Sequence, residues 1–163
     1  MKGTYKVSVE NNRLHYEFEI KQKITIIRGD SATGKTILVN MLRQTQKFGA
    51  SSGIDLICEV PCKILEGENW KLILENAADT IFFIDNGNAF VNTEEFAEAV
   101  KKSNSYFVLI TRENLHNLPY RVDEIYRSYC VIPFDFIVSH SLSYLIIPAY
   151  RFLLKFVLSC NYY

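Results

Sequence analysis

Ile24-Thr25-Ile26-Ile27-Arg28-Gly29-Asp30-Ser31-Ala32-Thr33-Gly34-Lys35-Thr36-Ile37-Leu38-Val39-Asn40-Met41-Leu42 is the stretch whose reading decides the fold. Residues 24–27 are apolar and β-branched, the composition of a strand buried on both faces of a parallel sheet. Residues 36–42 open an apolar helix. Between them, Gly29 to Thr36 satisfies G-x-x-x-x-G-K-[ST] at every fixed position, and it does so in the strand, loop and helix context that gives the pattern meaning. The glycines allow backbone conformations and close approaches that a side chain would obstruct. Successive N–H groups then turn inward and, with the positive end of the helix that follows, form a concave anion site.

The spacing gives each position a part. The backbone of Gly29, Asp30, Ser31, Ala32, Thr33 and Gly34 matches the β- and γ-phosphates of a nucleotide, and Lys35 adds a point charge. Thr36 is placed to put its hydroxyl on Mg2+, an ion that takes hard oxygen ligands and bridges phosphate oxygens.

Ahead of this stretch, Tyr5, Val7 and Val9 alternate with polar residues, Asn11-Asn12 supplies a turn, and Leu14, Tyr16, Phe18 and Ile20 share one face. That pattern predicts a β-hairpin over residues 4–20. Beyond it, a helix is expected from about Lys35 to Lys47, then a loop through Gly53. A strand is expected over 54–60, closed by Pro61 and extended or paired by 62–65. A short helix should follow, with Trp70, Ile73, Leu74 and Ala77 at helical spacing.

Thr80 to Asp85 is an apolar strand ending in an acid. Ligands of a parallel sheet lie beyond the carboxyl ends of its strands, so Asp85 is where a carboxylate on the metal side is needed. Asn92, with Glu95 three positions on, marks a helix start over a stripe of Phe96, Ala99 and Val100. Residues 105–110 form a further buried strand that ends at Thr111-Arg112, a polar pair on the side of Asp85. A helical turn over 114–119 and strands over 122–127 and 131–138 are expected next. Leu142 to Leu158 should form one or two helices broken near Pro148.

With these elements placed, the chain resembles the P-loop NTPase superfamily over residues 4–128, and within it the ABC and AAA-like ATPase division. The resemblance implies a three-layer α/β/α fold with a mostly parallel sheet, the loop strand central, and Mg-ATP as ligand. It implies Lys35 on the phosphates, Thr36 and Asp85 toward the metal, and Thr111 or Arg112 near the sensor position. Such ATPases place a glutamate directly after the metal-side aspartate to activate water; this chain has Asn86, whose amide cannot take a proton near neutral pH. Glu94, Glu95, Glu113 or a partner would have to supply that group. There is no LSGGQ-like stretch and no Asn-Lys-x-Asp guanine motif. Tyr5 or Tyr16 is a candidate to stack on adenine, and equally a candidate for the core.

Three functions remain open on this reading. One is a slow or partner-activated ATPase. Another is a small P-loop kinase using Arg112, Arg121 or Arg127 on the transferred charge. The third is a nucleotide-dependent regulatory module whose apolar segment 129–163 meets a protein partner or a second copy. The 163 residues suit one domain, and 18 Lys and Arg balance 18 Asp and Glu. That neutrality gives no general electrostatic case for nucleic acid or an acidic membrane. Cys58-x-x-x-Cys62 lacks a second pair or nearby histidines, so reduced thiols are expected rather than a zinc site. Met1 to Tyr5 has no apolar run behind its charge, which predicts a cytoplasmic protein. Residues 136–150 carry no Asp, Glu, Lys or Arg, but His140, Pro148 and several serines dilute the run. A buried or partner-facing segment is therefore expected there, not a membrane span.

Overall fold

A computed structural model describes residues 3–28, 34–85, 87–112, 115, 117–118, 125–131 and 154–160. The elements run β1 (Tyr5–Glu10), β2 (Leu14–Ile20), β3 (Ile24–Arg28), α1 (Lys35–Phe48), β4 (Asp55–Ile57), β5 (Cys62–Ile64) and α2 (Trp70–Glu75). They continue with β6 (Ile81–Asp85), α3 (Glu94–Lys102), β7 (Tyr106–Thr111), β8 (Ile125–Val131) and β9 (Leu154–Cys160). The nine strands among the described residues form one sheet in the order β4-β1-β2-β9-β8-β3-β7-β6-β5.

The fold is α/β, with two regimes in that sheet. From β8 to β5 every neighbour is parallel: β8 on β3, β3 on β7, β7 on β6 and β6 on β5. β3, β6 and β7 lie in this block and are buried on both faces, which is why their sequences are near-continuous apolar runs. From β4 to β2 the pairs are antiparallel, and β2 alternates buried and exposed residues, as a strand with one wet face must. β9 joins the two regimes, parallel to β2 and antiparallel to β8.

Each face of the sheet has its own core. α1 lays Leu38, Val39, Met41 and Leu42 over Ile27, Phe83, Val108 and Ile110, together with Val7, Val9, Tyr16 and Phe18 of the hairpin. On the other face, Trp70 and Leu74 of α2 and Phe96, Ala97 and Val100 of α3 cover Ile24, Ile26, Phe82, Ile84, Phe107 and Leu109. From β3 the chain runs through α1 to β4 on the hairpin side and then to β5, and it moves inward through β6 and β7 across α2 and α3. Parallel crossovers keep one hand, so reversing direction puts the helices on opposite faces. Among the described residues α1 lies on one face of the sheet and α2 and α3 on the other, and the carboxyl ends of β3, β7 and β6 fall along one rim.

Several expectations need correcting. The strand expected over 54–60 is only β4, and it pairs antiparallel with β1; the parallel place beside β6 is taken by Cys62–Ile64. The cap of α3 is Thr93, whose Oγ1 accepts from Phe96 N–H at 3.2 Å, while Asn92 closes a preceding 3-10 turn. Ala97 is buried where Ala99 was expected; Ala99 packs at the edge of the same cluster. Residues 154–158, expected in a helix, lie instead in β9, where 154–160 find two strands with open backbone groups to pair with. The turn over 114–119, the strand over 131–138 and the helical expectation for 142–153 fall mainly outside the described residues. Cys58 and Cys62 are free thiols. Burial, and then the neighbouring Cys58, pushes the Cys62 thiol well up, so it stays protonated near neutral pH. Among the described residues, no helix is long and apolar enough to cross a membrane.

Candidate functional site at the carboxyl rim

Gly34 opens α1 with φ +83° and ψ −2°, the left-handed region where glycine carries no steric penalty. From there its carbonyl accepts the first helical hydrogen bond, from Leu38 N–H at 3.0 Å. The same carbonyl accepts the Tyr16 hydroxyl at 2.9 Å, so a strand of the hairpin is tied to the start of the helix. Gly29, Asp30, Ser31, Ala32 and Thr33 lie outside the described residues, as do Asn86 and Glu113.

The next two residues point their chemistry differently. Lys35 is 8% exposed, its stem laid into the protein at the first turn, and Thr36 is open to solvent. Asp85 ends β6 with its carboxylate about one-third exposed. Its carbonyl accepts from Asn88 N–H at 3.3 Å and Asn88 Nδ2 at 3.0 Å, which fixes the turn that follows. Thr111, 4% exposed, ends β7, and Arg112 beside it is exposed.

These side chains come together. Lys35, Thr36, Asp85, Gly87, Ile110, Thr111 and Arg112 line one cleft of about 260 Å³ at the rim. Lys35 and Arg112 bring positive charge to it, and Asp85 the opposing carboxylate. The hydroxyl of Thr36 and the carboxylate of Asp85 are hard oxygen donors on the same cleft, the donor class that Mg2+ takes.

No protein-family model matches the chain, and no curated protein matches it.

Other expected participants lie elsewhere. The Tyr16 ring is 1% exposed, leaving no face for a base. Tyr5 packs edge-on against Tyr106, the first residue of β7, and so stands at the opposite end of the sheet. Glu95 pairs with Lys71 in a groove between α2 and α3, on the face of the sheet away from α1.

The sequence reading missed Arg43, Glu66 and Asn88. Arg43 holds Glu66 Oε2 through Nε at 2.9 Å and Nη2 at 2.8 Å, and Nη2 also stands 3.7 Å from Asp85 Oδ2. Asn40 Oδ1 accepts from Arg43 Nη1 at 3.2 Å and aims the guanidinium. Asn88 Oδ1 accepts from Gly67 N–H at 3.3 Å, stitching the loop after β5 to the turn after β6. A signal for Arg43 was present: it follows Thr36 by seven residues, two helical turns, and so lies on the same face of α1. Glu66 gave none, because its place depends on which short segment pairs with β6.

Proposed function

We propose that this chain is an Mg-ATP-binding protein of the P-loop NTPase superfamily, in the ABC and AAA-like division, acting as a slow or partner-activated ATPase. The observation that supports it most is the convergence of Lys35, Thr36, Asp85, Thr111 and Arg112 from three separate elements onto one cleft. A chance match to an eight-residue pattern carries no reason for the ends of β6 and β7 to meet it. The setting of β3, flanked on both sides by parallel strands, also supports the reading.

In this reading the backbone of 29–34 cups the β- and γ-phosphates and Lys35 neutralises them. Thr36 and Asp85 hold Mg2+, which supplies charge compensation on the phosphate oxygens. Thr111 and Arg112 face the γ-phosphate end of the cleft. Asn86 leaves the position after Asp85 without a proton acceptor, and slow turnover follows. The reading carries with it a cytoplasmic location, where thiols such as Cys58 and Cys62 stay reduced.

Calorimetry tests it. The wild-type chain should bind Mg-ATP, and Lys35→Ala should weaken binding on the order of 100-fold, the worth of charged hydrogen bonds to phosphate, with its thermal transition retained. Equal affinity in the two proteins would overturn the reading.

A further inference from the structure

The parallel register of β5 on β6 pairs Cys62 with Ile81, Lys63 with Phe82 and Ile64 with Phe83. Leu65 N–H then donates to Phe83 O at 2.9 Å, so the ladder runs on past β5. Carried two residues beyond Ile64 and Phe83, that register sets Glu66 against Asp85. Partners in a parallel register share a face, and Ile64 and Phe83 both belong to the α1-side core. Both carboxylates therefore rise toward α1, where Arg43 Nη2 touches Glu66 Oε2 at 2.8 Å and Asp85 Oδ2 at 3.7 Å. One nitrogen reaching both oxygens limits their separation to the length of the two contacts together.

Resting on the ATPase reading above, we propose that Glu66 is the catalytic base that position 86 does not provide, and that Arg43 is its positioning residue. A water held by the Glu66 carboxylate attacks the γ-phosphorus of ATP. The bond from water oxygen to phosphorus forms, the bond from the γ-phosphorus to the β,γ-bridging oxygen breaks, and its electron pair leaves with ADP. The water proton passes to Glu66 and from there to solvent, leaving inorganic phosphate.

The surroundings suit that movement. Glu66 is partly exposed, and Gly67 behind it sits at φ +78°, a conformation that lets the loop turn away from β5 without disturbing the strand. The contact with Arg43 is partly exposed on both sides, an interaction of the weak class that solvent readily exchanges. The other described acids nearby are placed less well: Glu94 and Glu95 belong to α3, on the face of the sheet away from α1.

The test uses the full chain with Glu66→Gln, and with Glu94→Gln and Glu95→Gln as comparisons. Glu66→Gln should lower single-turnover hydrolysis on the order of 10²–10⁴-fold, the usual loss on removing a positioned base. By calorimetry it should also tighten Mg-ATP several-fold relative to Mg-ADP, because one negative charge beside the γ-phosphate is gone. The two comparison variants should move neither quantity. Arg43→Gln should lower kcat with KM unmoved, because Glu66 loses the contact that aims it; Arg43→Lys should restore part of the loss. A wild-type rate in Glu66→Gln overturns the assignment, as does a rate loss with no change in the ATP-to-ADP affinity ratio. Should Lys35→Ala lose ATP while Glu66→Gln keeps its rate, the base is wrong and the nucleotide reading stands. Wild type that binds Mg-ATP but never hydrolyses it sinks the base alone, and wild type that binds none sinks both.

Discussion

Tyr16 does two things with one side chain. Its ring fills the α1-side core, and its hydroxyl reaches the carbonyl of Gly34, the residue from which the helix departs. Removing only the oxygen separates them. Tyr16→Phe keeps the ring, and Gly34 O keeps its bond from Leu38 N–H, so no buried acceptor is orphaned and the stability loss should be near ~1 kcal/mol. Nucleotide affinity should fall as well, because Gly34 is one wall of the proposed cup. Urea denaturation and calorimetry on the same sample check the pair; a stability loss with unchanged affinity would confine Tyr16 to packing. At this scale the sequence was most legible where chemistry and position are both local. Lys35 and Thr36 follow from their place in the pattern, and Asp85 from ending an apolar strand. Tyr16 was visible as a residue but not as a partner of Gly34, since eighteen positions of intervening chain hide the contact.

Among the elements, α3 shows what its cap contributes. Thr93 Oγ1 accepts from Phe96 N–H at 3.2 Å, and its hydroxyl donates to Phe90 O at 2.7 Å, joining the 3-10 turn to the helix. Glu94 and Glu95 in the first turn and Lys101 and Lys102 in the last complement the helix dipole. Thr93→Ala should cost about 1 kcal/mol of unfolding free energy by denaturant titration, while Asn92→Ala, outside the cap, should cost less. Equal losses would mean that the one-residue difference in cap position is wrong. Caps and strands are where the sequence misled. Asn92 with Glu95 satisfies the same capping pattern one residue too early. Ile54 to Val60 is the more apolar segment, yet Cys62–Ile64 holds the parallel position, because pairing is decided by what β6 and β1 leave open rather than by strand propensity. Over residues 154–158 the expected helix gave way to a strand for the same reason: a short apolar run reads either way until its neighbours are known.

For the whole molecule, β9 matters beyond its length. It lies between β2 and β8, so among the described residues it is the strand that links the antiparallel half of the sheet to the parallel half by backbone pairing. A chain ended at residue 153 should leave β2 and β8 each with an unpaired edge. We expect it to lose cooperative thermal unfolding, followed by circular dichroism; a sharp transition at the wild-type temperature would show the two halves hold without β9. That outcome would also favour the partner-facing role expected of the segment from 129 onward over a place in the sheet.

Among the described residues both borders of the sheet are strands of three residues, Asp55–Ile57 on one side and Cys62–Ile64 on the other, with the charged side chains of Asp55 and Lys63 exposed along them. So short a rail offers an incoming chain few amide and carbonyl groups to grip, and its charges repel or strand whatever approaches. Crowded solutions of the folded protein should thus be spared edge-on fibril growth.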